Sequence, residues 1–201
     1  IPTTFYLRVE HHSSLFLVLT IYSSEAYFKE SRKHLIWFGV YYGVVAAMLF
    51  FNLFVYISLR ERLYLYYILY VSSVLLYFLS LNGLMSEYIL PGPMKLHHTL
   101  LMVFLGSTVF WGTYFVKKFL VTEQYSTVLD RTLTIVIALA TFQICMSPFV
   151  HIKYLNNYSS LLGMLSSGTI LIAAIICWRR GFQPIGFFIT AWSILCVGAF
   201  T

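Results

Sequence analysis

The chain has 201 residues, of which 60% are hydrophobic, 19% aromatic and only 10% charged, with a formal charge of +6. A soluble domain is about 45–50% apolar and about 25% charged, so this composition, with its mean hydropathy of +0.81, excludes an ordinary water-soluble fold. The positive balance does not point to nucleic acid either, because the basic residues gather at the ends of long apolar runs, where they fix orientation in a bilayer.

Residues 1–22 differ from everything after them. Phe5 to Glu10 and Leu15 to Thr20 are short and rich in aromatic and β-branched residues, with His11-His12-Ser13-Ser14 between them as a turn. This pattern predicts a β-hairpin, and because a lone hairpin is marginal in water, it reads as the C-terminal strands of a β domain that begins upstream. Residues 23–34 turn polar and predict a juxtamembrane linker helix, with Ser23 or Ser24 as its N-cap. The chain starts at Ile1 within a strand-like pattern and stops at Thr201 within an apolar run, so a piece of a longer protein is expected.

From Leu35 onward the apolar runs dominate. A spanning helix needs about 20 apolar residues, and lipid offers no water to satisfy backbone groups, so only helices or closed barrels cross it. These runs are too long and too continuously apolar for barrel strands. The expected fold is an all-α polytopic membrane helix bundle over residues 35–201, with a short N-terminal β segment. Spans are predicted at about 35–59, 63–84, 96–116, 132–150, 158–178 and 184–201, the last unfinished. In the first span Gly39, Gly43 and Ala47 recur at spacing four, a small-residue ridge of the kind that lets helix backbones approach closely in lipid. Asn52 is the one strongly polar side chain there and is expected to bond to a neighbouring helix. Arg60-Glu61-Arg62 forms a very short charged turn. These seven residues are the candidate packing and coupling positions.

Alternate loops differ in charge. Arg60, Arg62, Lys117, Lys118, Arg131, Arg179 and Arg180 fall on one side, and only Lys95 and Lys153 on the other. The positive-inside rule makes the first side cytoplasmic and the N-terminal segment external. Lys29, Arg32 and Lys33 flank the first span externally, which an exported folded domain tolerates.

The chemistry-bearing residues are sparse. No Lys, Arg, Asp or Glu lies within the predicted spans, which argues against a proton-coupled carrier or pump, while a transporter or channel for a neutral solute stays open as the alternative. Paired inverted repeats with broken helices would favour it. Ser166-Ser167-Gly168 lacks a histidine deep in any span to act as base, so packing by small residues explains it better than intramembrane catalysis. His11-His12 and His97-His98 have no Cys or acidic cluster at ligand spacing, so no metal site is assigned. Cys145, Cys177 and Cys196 form no CxxC pair and read as packing thiols. No catalytic residue and no cofactor is expected.

Several strings together resemble one family. Phe5 to Glu10 and Tyr22-Ser23-Ser24-Glu25-Ala26-Tyr27-Phe28 resemble the end of its extracellular domain. Gly39-Val40-Tyr41-Tyr42-Gly43 with Asn52-Leu53-Phe54-Val55-Tyr56, and Ser58 to Tyr67, resemble its first two helices, and Leu79 to Gly83 the end of the second. Phe119-Leu120, Leu129-Asp130-Arg131 and Arg179 to Pro184, followed by Phe187-Phe188 and Ala191-Trp192, resemble its second and third inner loops. The pattern is that of the bacterial seven-transmembrane receptors with diverse intracellular signalling modules. The resemblance implies a preceding periplasmic jelly-roll domain similar to carbohydrate-binding modules, a seventh helix, and a cytoplasmic diguanylate cyclase, histidine kinase or phosphatase. It implies a multi-pass protein of the bacterial inner membrane, without catalysis in this region. Its partners are the lipid bilayer and a periplasmic ligand, for which the resemblance raises carbohydrate, and a homodimer is compatible with it.

Overall fold

The computed structural model describes residues 23–150 and 152–179, and the chain separates spatially into residues 1–40 and 41–201. In the first unit the described part is helical from Ser24 onward, with Leu35, Ile36 and Trp37 exposed. The predicted hairpin (1–22) and the predicted sixth span (184–201) lie outside the described residues.

Among the described residues, five helices are long and apolar enough to cross a membrane. α1 (Ser24–Leu59) runs without a break from the polar linker into the first span, 35–59. α2 is Arg62–Leu81, α3 Met94–Phe119, α5 Thr127–Met146 and α6 Ile152–Arg179, and α4 (Thr122–Tyr125) is a single turn in the linker between α3 and α5. No strand occurs among the described residues. The first span matches its expected limits, whereas the others shift. α3 extends past both predicted ends, α5 starts five residues earlier than the predicted fourth span, and α6 starts six earlier than the fifth. The reason is common to all three. By charge, Lys95, Lys117, Lys118, Asp130, Arg131 and Lys153 read as loop residues, but helix ends project long charged side chains outward at little cost.

The helix stops are local. α2 ends at Asn82, followed by Gly83 at φ 77°, the left-handed position that glycine fills without a steric penalty. A single π-helical turn, Met85–Ile89, then leads to Pro91-Gly92-Pro93 and the start of α3. α1 and α3 stop differently. Arg60 follows α1 at φ 54°, and Val121 follows the C-cap Leu120 of α3 at φ 47°, ψ 46°. Non-glycine residues in this region cost about 1–3 kcal/mol each.

Within residues 41–201, α3 is the central helix and packs against α2, α5 and α6, while α5 also packs against α6. One buried cluster joins Val116 and Leu120 of the α3 end to Leu129 and Leu133 of α5 and to Ile170, Ala173, Ala174 and Cys177 of α6. A second, made by Val136, Ala140 and Leu162, lies further along α5 and α6. The part of α1 in this unit meets α2 at a few points only: Tyr41 rests edge-on against Phe78 with ring centroids 5.8 Å apart, and Asn82 Nδ2 donates to the Tyr42 hydroxyl at 2.9 Å. Phe50, Phe54 and Ile57 are largely exposed, as lipid-facing side chains are in a bilayer where burial in protein carries no hydrophobic advantage.

Candidate functional site

The seven expected coupling positions are all on α1 or the turn that follows it. Gly39, Gly43 and Ala47 are exposed. A Cβ placed on Gly43 would have no heavy atom within 4 Å, so among the described residues of its unit no helix sits against the ridge at that position. Asn52 Nδ2 donates to the Met48 carbonyl of its own helix at 2.8 Å, a correction to the expected interhelical bond. An amide four residues downstream of a carbonyl finds it without any neighbouring helix. The turn is as short as expected. The Arg60 N–H closes onto the Tyr56 carbonyl at 2.7 Å, Glu61 is extended, and α2 begins at Arg62.

The close helix approaches lie on α3. A Cβ on Gly106 would stand 2.9 Å from Ile144 Cγ1 and 3.4 Å from Gln143 Nε2, and one on Gly112 would stand 3.0 Å from the Tyr70 ring. At about 100° per residue, positions six apart face directions about 120° apart. Gly106 therefore admits α5, and Gly112 admits α2. The signal was visible as two glycines in one apolar run, but they show no four-residue spacing because they serve different partners.

At the end of the unit where α2 and α5 begin and α3 and α6 finish, the charged residues form a clasp. Lys117 Nζ lies 3.1 Å from Asp130 Oδ2, with 13% and 19% of the two side chains exposed. Lys117 also donates to Thr134 Oγ1 at 2.8 Å, and the fully buried Thr122 hydroxyl donates to Asp130 Oδ1 at 3.0 Å. The Thr134 hydroxyl donates in turn to the Asp130 carbonyl at 2.7 Å. Asp130 occupies the first turn of α5 and Lys117 the last turn of α3, so both helix dipoles favour the charges they meet. Lys118 pairs with Glu123 at 3.3 Å in a more exposed setting. Beside the clasp, Tyr66 of α2 stands edge-on to Tyr114 of α3 at 4.8 Å, and Tyr67 meets Phe115 at 5.4 Å.

The opposite end is built otherwise. The described residues there form a cavity of about 310 Å³ between the start of α3, the end of α5 and the start of α6. Below it, Gln143 is buried in α5 and donates from Nε2 to the Met102 carbonyl at 3.1 Å. Gln143 Oε1 and the buried Thr113 hydroxyl have no hydrogen-bond partner among the described residues. In the preceding loop, the hydrogen bond and charge of Glu87 hold the exposed Tyr88 phenol above its usual range.

No three His, Cys, Asp or Glu side chains converge among the described residues. The Ser166 hydroxyl donates to the Gly163 carbonyl at 2.9 Å and Thr169 to Leu165 at 2.7 Å, so these side chains are engaged by their own helix.

A family model described as 7TM diverse intracellular signalling matches residues 34–201. No curated protein and no solved structure matches the chain.

Proposed function

The chain belongs to the 7TM diverse intracellular signalling family, and from that membership we propose that it is the membrane sensor region of a bacterial signal-transduction protein, carrying a periplasmic binding event to a cytoplasmic output domain. The family is one of membrane signalling regions rather than a class of enzyme. Catalysis is assigned to the output domain, a diguanylate cyclase, histidine kinase or phosphatase, and the ligand to a domain on the N-terminal side.

The observation that carries the orientation is the one-sided charge. Arg60, Arg62, Lys117, Lys118, Arg131 and Arg179 follow or precede helix ends on one side, against Lys95 and Lys153 on the other. Placing the basic side in the cytoplasm of an inner-membrane protein leaves the start of α1 in the periplasm. A ligand shifts such a protein only by binding one arrangement of helices better than another. The arrangement best suited to change involves α1, because residues 41–59 touch α2 at few points while α3, α5 and α6 are mutually packed. The exposed Gly39, Gly43 and Ala47, the partly buried Asn52 and the tight turn at Arg60-Glu61-Arg62 are then the elements through which α1 is read.

Two measurements test this on the full-length receptor in intact cells. A cysteine at Tyr88 is expected to react with a membrane-impermeant maleimide and one at Arg131 to stay protected; the reverse labelling would overturn the orientation. Gly43→Ile is expected to insert and fold normally yet alter ligand-dependent output, and unchanged output would remove the ridge from the relay.

A further inference from the structure

We propose that the cavity at the end opposite the basic turns is a binding site for a small amphiphilic carboxylate, of the size of a medium-chain fatty acid. Lys95, His98, Thr99 and Met102 all line it, and they fall at i, i+3, i+4 and i+7 along α3, which puts them on one helix face. Ser147 and Leu155 contribute from the other side. Met102, Ser147 and Leu155 are each only 4% exposed, so the floor is closely packed and mainly apolar, and Met102 adapts to irregular tails.

The mouth is polar in one sense only. The Thr99 hydroxyl is spent on the Lys95 carbonyl at 2.9 Å and the Ser147 hydroxyl on the Ile144 carbonyl at 2.9 Å. Among the described residues, the side-chain donors left to a ligand are the Lys95 ammonium and the His98 ring. No carboxylate lines the cavity among the described residues. α3 begins here with no acid in its first turn and with Pro93 supplying no side-chain cap, so its positive dipole end is unbalanced and adds to the attraction for an anion. A cationic rim over an apolar floor selects a molecule with a negative head and a short apolar body. An engineered cavity of about 150 Å³ takes one benzene, so about twice that volume admits a ligand of about ten to twelve non-hydrogen atoms. Octanoate is of that size, whereas a diacyl phospholipid is several times too large.

The inference goes beyond the proposed function, since binding here is read without any output and does not depend on the orientation above. The test uses the full chain in nanodiscs of neutral lipid and a photoreactive diazirine analogue of octanoate, with adducts mapped by mass spectrometry. Labelling is expected within residues 94–102 and 147–155, displaced by octanoate but not by octanol, and reduced at least tenfold by Lys95→Met. Lys153→Met, at the same end but outside the cavity, is expected to label as the parent does. Oleate preloaded in the nanodisc is expected not to compete, because its tail exceeds the cavity. Equal competition by octanol, equal competition by oleate, unchanged labelling of a folded Lys95→Met protein, or adducts confined to other helices would each overturn the proposal.

Discussion

The two ends of the α2–α6 bundle are held by different means. At the basic end, α3 and α5 are tied by the Lys117–Asp130 ion pair and the hydroxyl bonds beside it, over a continuous buried cluster. The chain there turns through left-handed Arg60 and Val121 rather than through glycine. In the other half, α3 and α5 touch backbone to side chain at Gly106, a single buried amide bridges them, and a cavity remains above. Polar locks specify a register and resist sliding. A small-residue contact resists only separation and leaves an open volume to be filled. The difference teaches that the bundle is fixed in register at its basic end and adaptable at the other.

The largest effect should fall on the contact that is pure shape. Gly106→Val drives a branched side chain into Ile144 and Gln143 and is expected to destabilise by about 3 kcal/mol, measured by denaturant titration in micelles. Gly43→Ile, with open space around it, should change the same titration by less than about 0.5 kcal/mol. If the two glycines proved equal, the assignment of α3 as the close-packed helix would fall. Next comes the clasp. Asp130→Ala leaves Lys117 without its counter-charge and the buried Thr122 hydroxyl without its acceptor, and should cost about 2 kcal/mol, less than a fully buried pair because both side chains keep some solvent contact. A loss no larger than that of an exposed pair would erase the contrast between the two ends.

How far these contacts were legible in the sequence depended on the kind of signal. The helices were readable because uncharged runs of this length have no other stable form in lipid, and the turn at Arg60-Glu61-Arg62 was readable because three charges interrupt two such runs. The clasp was not. Asp130 and Lys117 looked like loop charges, and only the short turn of α4 brings them together across the linker. Gly43 belongs to a regular spacing yet meets no neighbour among the described residues, while Gly106 and Gly112 are used without advertising one. Spacing reports a face of one helix; it does not report whether another helix lies on it.

Smaller effects sharpen the comparison further. Gln143→Leu removes one bond to the Met102 carbonyl together with an unpartnered buried oxygen, and single polar contacts between membrane helices average about 0.6 kcal/mol. The variant should therefore lie within about 1 kcal/mol of the parent in the same titration. Val121→Gly relieves the left-handed strain after α3 and is expected to raise stability by about 0.5–1 kcal/mol, seen as a higher midpoint. Lys118→Met, which breaks only an exposed pair, should move it by less than about 0.5 kcal/mol.

The bond between Lys117 and Asp130 also bears on how the protein is made. Its partners are near neighbours in the chain, on either side of a linker that contains one helical turn, so little loop entropy opposes their meeting. α3 and α5 can therefore latch as a hairpin as soon as both have left the translocon, ahead of α6. α6 then docks on a surface already in register, and the order of biosynthesis becomes the order of assembly.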